Sequence, residues 1–175
     1  NGSTWTELND LTTARQNLGG VGTSTAALAF GGGPPAIANT EIWNGTNWTE
    51  VNDLNAVRQQ MGVSGTANTS ALSFGGVVSL PTRTDTVESW NGTNWTEVAD
   101  LNTGRRLLAG AGTQTASLAF GGALDPGTSQ SVTEEYNGTV WSTGGVLPLA
   151  LRDAKAAGLQ NSGLAIGGSV SKWSF

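Results

Sequence analysis

Four arginines, Arg15, Arg58, Arg105 and Arg152, recur at intervals of 43, 47 and 47 residues. Three glutamates, Glu41, Glu88 and Glu134, stand once each in the segments between them. Two chemistries fit this spacing. The arginines could form a positive ring that holds an anion, or each could be taken out of water and paired with the glutamate of its own segment. An arginine removed from water needs a carboxylate partner, so the repeated pairing is the stronger reading. Arg152 lacks such a glutamate, because Ser171 stands at the matching position; Asp153 is the nearest substitute.

Other catalytic chemistries meet early limits. The chain has no His and no Cys. That removes the commonest general base, thiol catalysis, disulfides and zinc–thiolate sites. Glu7, Glu50 and Glu97 each follow a tryptophan by two residues and read as charges on an outer strand. A glycosidase needs two carboxylates facing one bond, which a repeating array offers only by accident. No calcium loop, phosphate loop or dinucleotide fingerprint is present. The expectation is no enzyme, no metal and no cofactor.

Seven tryptophans are the next candidates. Trp5, Trp48, Trp95 and Trp141 share one register, and Trp43, Trp90, Tyr136 and Trp173 share another. They could be platforms for stacking sugars. Residues that recur once per repeat more often pack one repeat on the next, so all eight are expected to be structural, with Arg15, Arg58, Arg105 and Arg152. Asn-x-Ser/Thr triplets at Asn1, Asn44, Asn47, Asn68, Asn91, Asn94 and Asn137 match glycan acceptors. Turn chemistry already explains most of them. The segments that differ between repeats follow the Gly pairs: Gly33 to Asn39, Val77 to Asp85 and Ala123 to Val132. Pro34, Pro35, Leu80, Arg83, Asp125 and Pro126 lie there and are the candidate binding residues, since variable loops on a fixed scaffold commonly carry binding.

The elements that position these residues follow from the repeat itself. Asn44-Gly45-Thr46-Asn47-Trp48-Thr49-Glu50 recurs as Asn91-Gly92-Thr93-Asn94-Trp95-Thr96-Glu97, with looser copies from Asn1 and Asn137. Gly pairs fall at 31–32, 75–76, 121–122 and 167–168. Within each repeat the apolar period is two. Leu28 and Phe30, Leu72 and Phe74, Leu118 and Phe120, Leu164 and Ile166 are each two apart, as on one face of a strand. Asn-Gly between the two tryptophan-bearing segments predicts a hairpin with a type I′ turn. The stretch from Arg15 to Val21 supplies a Gly-rich strand whose Gly19, Gly20 and Gly22 allow close backbone approach. The unit is four short strands in about 45 residues, which is the pattern of a propeller blade.

Composition agrees with this. The chain has 175 residues, 12% of them charged, with a net charge of −5 and no basic run, which disfavours nucleic acid. No apolar stretch reaches the length of a membrane-spanning helix.

On the Gly pair that closes the second strand, the aromatic in the third, the Trp five residues later and the Arg that opens the next repeat, the sequence resembles the Kelch repeat family. The resemblance covers essentially the whole chain and implies an all-β, four-bladed propeller, residues 1–175, with repeats at about 1–43, 44–90, 91–136 and 137–175. It also implies that the last blade is completed by the N-terminal strand, Asn1 to Glu7. A longer propeller, or chains completing one another, are the alternatives. The chain opens on Asn1 rather than Met, so residues upstream are expected, and the divergence of the fourth repeat suggests a true C-terminus at Phe175. The copper radical oxidases of this scaffold need His and Cys, and the Asn-Gly-Thr-x-Trp-Thr copies lack the Asp of a sialidase Asp-box. The pattern is also similar to Kelch-like arrays in structural proteins of tailed phages. The functional expectation is therefore a non-enzymatic module for binding or assembly, placed on a virion (tail, fibre or decoration) or a cell surface. Its partners would be protein subunits of a larger assembly or a surface receptor or glycan. A carbohydrate-binding propeller is the alternative, and the oligomeric state stays open.

Overall fold

A computed structural model describes residues 2–124 and 127–170. Among them every regular element is a strand, and every pairing is antiparallel. The first sheet runs β1 (Gly19–Thr23), β2 (Ala26–Phe30), β3 (Thr40–Trp43) and β4 (Trp48–Val51), each paired with the next. The second sheet uses β5 (Gly62–Ala67) and β6 (Ser70–Phe74), then interposes a small hairpin, β7 (Val77–Ser79) and β8 (Thr82–Arg83). It resumes with β9 (Val87–Trp90) and β10 (Trp95–Val98). The third repeats this with β11 (Ala109–Gly112) and β12 (Ser117–Phe120), the hairpin β13 (Ala123–Leu124) and β14 (Thr128–Ser129), then β15 (Thr133–Tyr136) and β16 (Trp141–Thr143). The fourth sheet has two described strands, β17 (Lys155–Leu159) and β18 (Ser162–Ile166).

The first strands of successive sheets, β1, β5, β11 and β17, lie beside one another in that order. Sheet packs on sheet through the aromatic pair that the sequence repeats. Phe30 meets Trp95 of the second sheet edge-on, with centroids 4.7 Å apart, and Phe74 meets Trp141 of the third at 5.2 Å. Trp95 also donates its indole N–H to Thr40 Oγ1 at 3.0 Å. These rings are buried with Leu28, Leu54, Ala71, Leu72, Val87 and Leu101, so the core consists of the seams between sheets rather than the middle of any one sheet.

The Gly pairs have a backbone reason. Both members have positive φ in all four repeats, for example 62° and 108° at Gly31 and Gly32, where L side chains are strained. The second Gly of the first three pairs donates to a carbonyl of the following repeat: Gly32 to Arg58, Gly76 to Arg105 and Gly122 to Leu151, at 2.8–2.9 Å.

Four expectations need correction. The Asn-Gly hairpin is not a type I′ turn, because Gly45 has φ of 93° while Asn44 is not left-handed. Instead Asn44 Oδ1 accepts from the N–H groups of Thr46 and Asn47, both at 2.9 Å, so a side chain caps a longer turn. Residues Arg15 to Leu18 are not part of the first strand, which begins at Gly19. The N-terminal segment forms no described strand, and Trp5 is fully exposed at 102%. Trp95 and Trp141 pack between the third strand of their own sheet and a Phe of the sheet before, and the described part of the fourth sheet has no third strand to offer. Finally, Arg152 does not occupy the position of Arg15, Arg58 and Arg105.

Candidate functional site

The register that displaces Arg152 is set by a backbone feature at one end of the sheets. Asn17, Gln60, Leu107 and Asp153 have φ of 56°, 58°, 57° and 57°. Their spacings of 43, 47 and 46 match those of Trp5, Trp48, Trp95 and Trp141. They follow Arg15, Arg58 and Arg105 by two residues, so the fourth copy of the arginine position is Leu151. The backbone agrees, since Leu151 supplies the carbonyl to Gly122 that Arg58 and Arg105 supply to Gly32 and Gly76. Arg152 instead stands with Gln16, Gln59 and Arg106, each of which bridges to the residue after a Gly pair.

In the first three sheets the arginine and the third-strand glutamate meet. Arg15 Nη1 lies 2.7 Å from Glu41 Oε1, Arg58 Nη2 2.6 Å from Glu88 Oε1, and Arg105 Nη2 2.7 Å from Glu134 Oε1. All six side chains are buried. The second carboxylate oxygen accepts backbone N–H groups from Thr12, Asn55 and Asn102 at 2.6–2.7 Å. The guanidinium groups also donate to carbonyls, Arg58 to Thr86 and Arg105 to Gly121 and Val132. Burial pulls Arg58 and Arg105 below the usual arginine range, against the pull of Glu88 and Glu134. At Glu41 burial pushes the other way, but the Thr12 and Thr13 N–H groups and Arg15 hold it below its ordinary value. These glutamates are therefore tied to structural partners and offer no free carboxylate for chemistry.

The repeated aromatics are packed. Trp43, Trp90, Trp95, Tyr136 and Trp141 are buried and Trp48 is half-buried against Trp43. Trp5 departs from the structural expectation, and Trp173 lies outside the described residues. The indole N–H groups of Trp43 and Trp90 donate within their own sheets, to Ser24 O and Asn68 O at 3.0 Å.

The remaining candidate residues gather at the end of the sheets where the first strands begin. Gln60 N donates to Asn17 O, Leu107 N to Gln60 O, and Asp153 N to Leu107 O, at 2.8–3.0 Å. A chain of backbone bonds thus links all four repeats around a cavity of about 90 Å³, which Asn17, Gln60, Leu107, Asp153 and Lys155 help to line. In an antiparallel sheet the start of the first strand and the loop from second to third strand share an end, so the variable loops lie at the same end of the sheets as this cavity. Pro34 and Pro35 line an open groove of about 530 Å³ with Thr13, Gln16 and Ile37. Leu80 caps the β7–β8 hairpin at 63% exposure, and Arg83 is half-buried on β8. Asp125 and Pro126, which fall in sequence between β13 and β14, lie outside the described residues. Arg152 donates to Gly127 O and to Ser169 Oγ, so it braces that hairpin from the fourth repeat.

Sequence reasoning missed both hairpins and the left-handed residues. The hairpins replace a seven-residue loop with strands of two or three residues, below the length at which alternation is readable. The left-handed position holds Asn, Gln, Leu and Asp, of which only Asn and Asp signal that conformation. Among the described residues no cluster of acidic side chains could hold a metal ion. The sequence matches no protein-family model and no curated protein.

Proposed function

We propose that the chain is a Kelch-like propeller scaffold that binds a macromolecular partner through the loop end described above, without catalysis. In this reading the four sheets close into a four-bladed ring, with the N-terminal strand serving as the outer strand of the fourth. The carrying observation is the contrast between interior and rim. Ion pair, Gly pair and aromatic contact recur with nearly constant geometry in the first three sheets, while the loops at one end of the sheets differ in length and fold. A scaffold that holds its interior constant and varies one end is organised for recognition.

Burial of Trp43, Trp90, Trp95 and Trp141 removes the repeated stacking platforms that a lectin with one site per blade requires, which favours a protein partner over a glycan. Low charge density and many hydroxyl and amide side chains suit a virion or cell-surface module. Leu80 and the Pro34–Pro35 groove supply the apolar contacts on that end, and interfaces are commonly anchored by a few such residues.

The test compares two sets of variants for capture of co-assembled virion or surface proteins by cross-linking and mass spectrometry. Leu80→Asp, or Pro34→Ser with Pro35→Ser, is expected to abolish capture with an unchanged melting temperature. Thr49→Lys on the outer strand β4 is expected to leave it intact. Capture that survives the loop changes and disappears with the outer-strand change would overturn the proposal.

A further inference from the structure

The two contacts among the first three sheets each pair a Phe on the second strand of one with a Trp on the fourth strand of the next. The array ends with one half of that contact free at each side. On the first sheet Trp48, the counterpart of buried Trp95 and Trp141, is half-buried and borders a groove of about 400 Å³ floored by Leu18, Val21 and Leu28. On the fourth sheet β18 carries Leu164 and Ile166 at 59% and 49% exposure, where Leu28 and Phe30 on β2 are at 1% and 0%. In the closed ring proposed above, continuity of the repeat would make β18 of the same chain the occupant of the groove.

This last contact is built with fewer supports than the others. The arginine position of the fourth repeat is Leu151, so the buried ion pair of the first three sheets has no counterpart there. The aromatic knob is Ile166, which lacks the ring that Phe30 and Phe74 set against Trp. We propose that the junction of β17–β18 with the first sheet is a seam that opens and closes while the first three sheets stay folded. The proposal rests on closure of the ring, and it assigns the ring one built-in point of release.

Hydrogen exchange on the whole chain, read by mass spectrometry, tests it. The amides of β17–β18 are expected to exchange roughly tenfold or more faster than those of β5–β6, because local opening sets their rate. Ile166→Phe is expected to slow β17–β18 selectively, and removal of residues 2–8 to speed it, with β5–β6 unchanged in both. Equal protection of β17–β18 and β5–β6 would overturn the seam and leave closure standing. Fast exchange at β17–β18 that ignores both changes would overturn closure, and the seam with it.

Discussion

A buried arginine is tolerable only while its carboxylate is present. Glu88 satisfies Arg58 at 2.6 Å and also accepts the Asn55 N–H and amide groups, at 2.7 and 2.8 Å. Glu88→Ala is therefore expected to cost about 3–5 kcal/mol, because it strands a charge in the interior. Arg58→Met with Glu88→Leu is expected to recover most of that loss, since an apolar pair of similar volume removes the desolvation cost of both ions. Urea unfolding of the three variants checks both values. The pH response follows from Glu41, whose carboxyl is held below its ordinary value in the fold. A depressed carboxyl pKa contributes stability in full above the unfolded value near 4.5 and loses it as pH falls through the folded value. Melting temperature is thus expected to drop on acidification below about pH 4.5 and to vary little from there to neutrality. A curve that stays flat down to pH 2.5 would contradict this.

At the scale of the strand, glycine marks where neighbouring first strands nearly touch. A Cβ on Gly110 would sit 2.2 Å from Val63 O on the preceding sheet, whereas on Gly145 it would meet nothing within 4 Å. Gly110→Ala is expected to cost about 1–3 kcal/mol by forcing β11 away from β5, and Gly145→Ala to stay within about 0.5 kcal/mol. Thermal melts of the two variants separate them. Much of this layer was readable in the chain: the alternation of Leu and Phe fixed the second strands, and the Arg and Glu spacings placed both partners of the ion pair. The fourth arginine misled because Arg152 lies one residue past the true position, and a slip of one residue reverses a side chain in extended backbone. Backbone hydrogen bonds from the Gly pairs, which no residue type announces, set the register. The Asn-Gly turn was legible as a turn but not in type, because the Asn44 side chain supplies a cap that competes with the left-handed backbone alternative.

The whole molecule turns on where residues 2–8 go. Asn52, which follows the outer strand β4, donates its amide to Thr93 O and Asn94 Oδ1 in the turn of the second sheet, at 2.9 and 2.8 Å. Asn9 makes the same clasp on the first sheet, donating to Thr46 O at 2.9 Å and to Asn47 Oδ1 at 2.7 Å. At Asn52 the clasp holds the end of the outer strand β4 against the turn of the second sheet, whereas Ala99 stands at the matching place after β10. In the closed ring proposed above, the clasp of Asn9 would leave residues 2–8 as the outer strand of the fourth sheet. Trp5 would then enter the contact that Trp95 and Trp141 make with the Phe of the sheet before them, here Phe120. Trp5→Ala is accordingly expected to lower stability by about 3 kcal/mol, the usual scale for removing a packed indole. A fully exposed Trp5 would instead change stability by less than about 0.5 kcal/mol. Denaturant unfolding of this one variant decides between a closed ring and an open array. Asn9→Ala should move in the same direction by about 1 kcal/mol, the scale of a lost hydrogen bond, because it removes the bonds to Thr46 O and Asn47 Oδ1 that hold the N-terminal segment on the first sheet.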